Sequence, residues 1–283
     1  MTGPSDTPLT AKDVPSALMR QTLLDRDLVR PVQAQPVIRL LPWLNVVVIG
    51  GRSIMDRGRD AILPVVDELR AAFDDRKLLI LTGAGIRARH VLGVGLDLGL
   101  PTGALAGLAA TEAEQNGHLL AALLAEHGVS YLPHHTVGHQ LAAHLAASPA
   151  VVSNGYPPFG VFELPPAAGR IPAHRTDAGA FLIADAYGVR RTVYVKDVDG
   201  VFTADPHGTG AVGAGRAGAE LRDKVSASEL LRAGASLPID RVVLELMGHA
   251  KHVTEIQIVN GLTRGTLTRA LHGEPVGTVV HAG

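Results

Sequence analysis

The sequence has no cysteine. Disulfides and thiolate metal sites are therefore excluded, and an inorganic ligand would have to be held by histidine, carboxylate, hydroxyl or backbone groups. An excess of one charge is missing too. The formal net charge of −1 leaves no electrostatic footprint for nucleic acid or an anionic membrane, so any polyanion has to be bound locally. No apolar run approaches the roughly 20 residues of a membrane span, and the amino terminus is polar without a signal-peptide pattern, from which a cytoplasmic location is expected. Aromatic residues are scarce at 4%, beside 32 glycines and 18 prolines, a balance that fits a turn-rich α/β protein. What is present suffices for a large core: 283 residues, 46% of them hydrophobic, can form one α/β domain, and thirteen histidines keep nitrogen ligation open. Two domains are possible but not required.

Residues 1–35 read as an amino-terminal arm and 36–283 as a single domain. Met1 to about Asp13 is polar and carries prolines, a composition for which disorder is the default, while Ser16 to Asp27 has the leucines of a short amphipathic helix. Val46–Ile49 is a continuous apolar run, as expected of a strand buried on both faces of a parallel sheet. It ends at Gly50-Gly51-Arg52-Ser53, where backbone amides and a guanidinium can meet an anion. After a helix at Arg59–Phe73, a second strand, Lys77–Leu81, runs into Thr82-Gly83-Ala84-Gly85 and a helix at Ile86–Leu98. Two such glycine junctions facing each other make a phosphate cradle. Arg87, Arg89 and His90 then stand in either a solvated first helical turn or a phosphate contact.

Further on, Thr111 to about His127 reads as a long helix and Gly128–Leu132 as a strand. His134, His135, His139 and His144 follow closely; His135 and His139, at i and i+4, can share a helical face and a metal, or simply form a solvated helix start. Tyr156 to Pro166 is a loop by composition, and Glu163 is its only ionisable residue. Thr176 or Asp177 can cap the helix Ala178–Tyr187. Gly208–Gly218 is a glycine-rich stretch; helices at Ser226–Glu229 onward, Arg241–Lys251 and Gly265–Leu271, and strands at Gln257–Asn260 and Gly277–Val280, complete the chain.

The chain is centred on Thr192–Pro206, a β-branched and aromatic strand that breaks into an acidic turn and stops at proline. Charge at a strand's carboxyl end lies where open α/β sheets bind ligands. Lys196, Asp197 and Asp199 can face a phosphate and its magnesium, Gly200 admits close backbone approach, and Phe202 offers a base an apolar wall. An ordinary acidic loop accounts for the same residues. Asp197-Val-Asp-Gly-Val-Phe-Thr-Ala-Asp-Pro206, however, resembles the nucleotide-binding loop of the amino-acid kinase superfamily, in particular its uridylate-kinase branch.

That resemblance implies a three-layer α/β sandwich around a mostly parallel sheet, binding ATP with Mg2+. It assigns nucleotide contacts to Gly50, Gly51, Arg52, Gly83, Gly85 and Arg87, to Asp199, Gly200, Phe202, Thr203, Asp205 and Pro206 in the loop, and to Pro238 before a later helix. It gives Asp177 the task of orienting phosphate-binding cations, with Lys196 and Asp197 beside it as catalytic candidates and His174, Arg175 and Asp240 as neighbours.

From about Ser16 the chain resembles the molybdenum storage family, nearer its alpha-type than its beta-type subunits. A storage subunit of a caged hexamer, alone or with a related beta-type subunit, taking up molybdate or tungstate, is what this implies. The chain also departs from the family patterns. Val48 stands where the kinases carry a lysine that reaches the transferable phosphate, which implies slow hydrolysis. Of the positions that contact the stored metal, His144 matches, whereas Pro133 replaces a glutamate and Gly160 begins the place of a triple histidine. The alternatives are a uridylate or amino-acid kinase and a nucleotide-binding assembly subunit without metal.

Overall fold

A computed structural model describes residues 38–203, 219–233 and 237–283. The expected arm with its helix, the glycine-rich stretch, and Asp205 and Pro206 lie outside the described residues.

Six strands run parallel: β1 (Leu44–Ile49), β2 (Lys77–Thr82), β3 (Ser130–Tyr131), β4 (Ala150–Asn154), β5 (Arg191–Lys196) and β9 (Glu255–Asn260). A two-stranded ribbon, β6 (Val201–Phe202) with β7 (Leu221–Arg222), stands apart. β8 (Lys224–Ser226) and β10 (Thr278–His281) complete the main sheet in the order β3-β4-β2-β1-β5-β9-β10-β8, with β10 antiparallel to β9. Eight helices are described: α1 (Arg59–Ala72), α2 (Arg87–Asp97), α3 (Thr102–Leu124), α4 (Val137–Ala147), α5 (Thr176–Tyr187), α6 (Ala227–Ala233), α7 (Arg241–Met247) and α8 (Thr266–His272).

Alternate residues along each central strand serve opposite layers, as the two-residue period of a strand demands. Val46, Val48, Leu79, Leu81 and Tyr194 pack with Phe181 of α5 and with α4, α6 and α7. Val47, Ile49, Leu78, Ile80, Val193 and Val195 pack with α1, α8 and the end of α3. Every residue of β1 is buried, which is why the sequence there is apolar without alternation. The result is the expected three-layer sandwich around a mostly parallel sheet.

Two local readings change. α3 begins at Thr102, nine residues ahead of the expected Thr111. Gly103 and Gly107 weaken its helical signal, yet a Cβ on Gly103 would lie 2.0 Å from the carbonyl oxygen of Val161, so glycine admits the loop that crosses there. Thr176 and Asp177 are the first residues of α5 and not its caps; Arg175 precedes the helix in an extended conformation, without a capping side chain.

Candidate functional site

The site lies at a reversal in strand order. From β1 the chain moves outward on one side to β2, β3 and β4, then returns to place β5 against β1's other edge. The carboxyl ends of β1, β2 and β5 therefore open into one crevice, where the connections diverge.

Two glycine turns form its floor. A Cβ on Gly51 would stand 2.1 Å from the Gly85 amide nitrogen, and one on Gly83 would stand 2.4 Å from the Gly51 amide nitrogen. The turns therefore touch backbone to backbone, and Gly83 is required for that contact as well as for any approach of phosphate. Gly85 has φ +77°, a conformation that favours glycine. Asp56 braces the junction from the loop after β1, its carboxylate accepting the Ile86 N–H at 2.6 Å just ahead of α2.

Above this floor is a cleft of about 520 Å³. Lys196, the last residue of β5, projects into it on the sheet face that carries Tyr194 and Val48. Its Nζ donates to both carboxylate oxygens of Asp177, at 2.9 and 2.8 Å, and both side chains are only 9% exposed. Asp177 Oδ2 also accepts the Asp240 N–H at 3.2 Å, while the Asp240 side chain pairs with Arg175. A line of alternating charges thus crosses the cleft from Lys196 through Asp177 and Asp240 to Arg175. Burial raises the Asp240 carboxyl above its ordinary value, the Asp177 charge raises it further, and Arg175 opposes both. Tyr194 beneath them donates its hydroxyl to the Asp177 carbonyl at 2.9 Å, and burial holds that phenol neutral.

The expected residues divide clearly. Gly50, Gly51, Arg52, Gly83, Gly85, Asp177, Lys196, Asp197, Gly200, Phe202 and Pro238 all line the cleft. Asp197 places Oδ2 2.5 Å from Arg57 at the rim. Arg87 turns away: Nε donates to Glu112 at 3.0 Å and its guanidinium to Asn116 at 2.6 Å, and Arg89 lines the cleft in its place. Asp199 lies outside the lining and accepts from Asn260 at 2.8 Å, holding the loop. Thr203 accepts the Glu220 N–H at 3.0 Å in the β6–β7 ribbon. His144 lies in the last turn of α4, and among the described residues no group of three His, Asp or Glu side chains is placed to hold a metal ion.

The cleft also holds residues the sequence did not single out: Tyr156, Leu92 and Ile239. Tyr156 follows β4 directly, so its place at a strand's carboxyl end becomes visible once Ala150–Asn154 is recognised as a strand.

Chemically, the cleft is lined by four cations, Arg52, Arg89, Arg175 and Lys196, and by the apolar side chains of Phe202, Leu237, Pro238 and Ile239. That lining supplies cations for phosphates and apolar surface for a flat base. Asp197 suits a magnesium ion shared with phosphate oxygens, since magnesium commonly takes one or two carboxylates.

Comparison with known proteins agrees with this geometry. The amino acid kinase family model matches residues 43–260. Subunit beta of the molybdenum storage protein of Azotobacter vinelandii is 43% identical over 269 residues, covering 94% of this chain and 96% of that one. A uridylate kinase of Methanopyrus kandleri is 26% identical over 83% of this chain and 98% of its own. Among solved structures, the uridylate kinase of Archaeoglobus fulgidus superposes with a TM-score of 0.63 at 21% identity, covering 83% of this chain and 99% of that one, a likeness of fold. The chain belongs to the amino acid kinase family and, within it, is a homologue of the molybdenum storage protein.

Proposed function

We propose that this chain is an ATP-binding subunit of a molybdenum storage protein, taking up molybdate or tungstate into a closed oligomer. The observation that carries this is 43% identity to a molybdenum storage subunit over 94% of the chain, joined to a cleft whose cations and apolar side chains suit ATP. The uridylate kinases are more distant, at 26% identity for the one from Methanopyrus kandleri. Residues 36–283 form the nucleotide-binding domain in this reading, with residues 1–35 as an arm.

Within the cleft, Arg52, Arg89 and Lys196 meet the phosphates, the glycine turns admit them, and Phe202 and Pro238 cover the base. Magnesium at Asp197 would neutralise phosphate charge. Asp177 holds Lys196 at the carboxyl end of β5, and β1 beside it carries Val48 in place of a cation. That arrangement favours binding over rapid phosphoryl transfer, because β1 contributes no cation to the transferring phosphate. We assign the protein a hexameric assembly. The subunit type is decided by partner choice: an alpha-type chain co-assembles with a beta-type subunit, whereas a beta-type chain requires an alpha-type one.

Elemental analysis of protein purified after growth with molybdate, with and without ATP, tests the reading. Retained molybdenum that depends on ATP supports it. A metal-free protein that forms ADP at ordinary rates only when uridylate is present would establish a kinase instead.

A further inference from the structure

We propose that Asn116 is a positioning residue for the nucleotide phosphates: from within α3 it holds the Gly83 carbonyl so that the Ala84 N–H faces the cleft. Glu112 and Arg87 keep its amide turned that way. The assignment rests on the cleft being an ATP site and adds to that site a side chain that touches no ligand.

An asparagine inside a 23-residue helix is out of place, because its side chain favours caps and turns. This one is also 3% exposed, and a buried amide is costly unless it is hydrogen-bonded. Each end of the amide has a partner. Asn116 Nδ2 donates to the Gly83 carbonyl at 2.7 Å, and Oδ1 accepts from the Arg87 guanidinium at 2.6 Å. A guanidinium only donates and a carbonyl only accepts, so the amide can stand in one orientation alone. Arg87 is anchored in turn, its Nε donating to Glu112 at 3.0 Å. Glu112 and Asn116 are four residues apart on α3 and share a face, so one stretch of helix holds both ends of the relay. The same helix grips the end of β2 a second time, where the Thr82 hydroxyl donates to the Ala113 carbonyl at 2.8 Å. Gly117 lets it come so close, since a Cβ there would lie 2.5 Å from the Tyr131 ring.

The effect reaches the cleft through a peptide plane. A trans peptide points its C=O and its N–H in opposite directions. With the Gly83 oxygen turned onto α3, the Ala84 N–H is turned away from that helix, and Ala84 lines the cleft. Gly83 has nothing left to offer a ligand, because its own N–H donates to the Ile49 carbonyl at 2.9 Å. The Gly51, Arg52, Ala84 and Gly85 N–H groups, by contrast, donate to no group among the described residues. Backbone beside glycine has many conformations open to it, and a donor that must be realigned before it meets phosphate binds more weakly than one already in place. Asn116 removes that freedom at Ala84. Neither it nor Arg87 is part of the cleft lining, so both act on the ligand only through the turn.

The test uses full-length protein and reads Mg-ATP affinity by calorimetry and backbone amide exchange by mass spectrometry without nucleotide. Asn116→Asp keeps an acceptor for Arg87 but loses the donor to Gly83; Asn116→Leu loses both and adds no charge. Both should bind ATP about 10- to 100-fold more weakly, as for loss of a hydrogen bond to a charged group, with faster exchange confined to the Gly83–Ile86 turn. A folded variant with unchanged ATP affinity overturns the relay and leaves the ATP reading standing. Faster exchange across β1 and β2 as well overturns it too, because the amide then supports the whole fold and not the turn. Should neither variant fold, Arg87→Met, made at a side chain 48% exposed, frees the Asn116 amide to turn. Weaker ATP binding with faster exchange in the same turn is then expected, and exchange at the wild-type rate overturns the assignment. Wild type that binds no ATP overturns the ATP reading and this assignment together.

Discussion

Val48 is the residue to which the proposed reading assigns slow turnover. It has no exposed surface and lies beside Tyr194 in register, two residues short of Lys196 on the neighbouring strand. A lysine here would share a sheet face with Lys196 and extend its stem toward Asp177. Cations that meet the transferring phosphate stabilise the transition state more than the ground state, and one such contact is worth about 2.7–4 kcal/mol by analogy with a single oxyanion donor. Val48→Lys is therefore expected to raise ATP hydrolysis by about a hundred- to a thousandfold while costing about 1–3 kcal/mol of stability for the added bulk. ADP release under single-turnover conditions measures the first effect and urea denaturation the second; a folded variant with an unchanged rate removes Val48 from the explanation. Much at this scale was legible in the sequence. Lys196, Asp197 and Gly200 follow a strand and precede a turn, and such positions announce themselves. Arg87 did not, because its partners Glu112 and Asn116 come from α3, about 25 residues away, and nothing local shows that a first-turn arginine is already engaged.

At the scale of elements, the corner joining β3 and β4 carries a titratable lock. His134 Nδ1 lies 3.0 Å from Asn154 Nδ2, so it accepts, and the same Asn154 amide group lies 3.3 Å from the Tyr131 hydroxyl. Burial lowers the His134 pKa from its ordinary 6.5, the neighbouring His135 lowers it further, and Glu114 opposes both. In this window the unfolded chain binds more protons than the folded one, so stability is full above pH 6.5 and declines as pH falls below it. Urea midpoints at pH 7.5 and about 5.5 should differ in wild type and differ less in His134→Gln, whose amide still meets Asn154. An equal drop in both proteins assigns the pH dependence to other groups. This corner is also where the sequence was least informative. Ala150–Asn154 has only three apolar residues before Ser153-Asn154, and Pro149 precedes it, so the periodic signal is too short to separate a buried strand from a loop. β1, β2 and β5, with longer apolar runs, were plain. The β6–β7 ribbon was hidden for a related reason, since each strand is two residues long.

At the scale of the molecule, the described residues leave an apolar surface exposed. Val161, Phe162 and Leu164 stand exposed on the loop against the first turns of α3, with Leu98 nearby in sequence to that helix at 69% exposure. Exposed apolar side chains of this size beside one another are commonly covered by a partner, and a closed ring of copies is the usual arrangement. Light scattering of the purified chain, alone and with the complementary subunit, should give a hexamer; a monomer in both preparations, with and without ATP, is incompatible with the assembly proposed. The three layers and the place of the cleft could be inferred from alternating strands and helices, but the exposed apolar surface could not. Its residues occupy a proline-rich loop whose exposure depends on α3 reaching back to Thr102.

The contact between the two glycine turns also constrains how this protein can change. A side chain on Gly51 would meet the backbone of Gly83 and Gly85, and one on Gly83 the backbone of Gly51, so neither position is free to vary while the turns stay in contact. Gly51→Ala or Gly83→Ala should each cost about 1–3 kcal/mol, by forcing the turns apart. The double variant should cost less than the sum, because turns already separated have little left to lose, and a double-mutant cycle would record a coupling of about 1 kcal/mol. The order in which substitutions arrive then matters: the first step at this floor is the steeper one, and a lineage that has taken it meets a second step lower by about 1 kcal/mol.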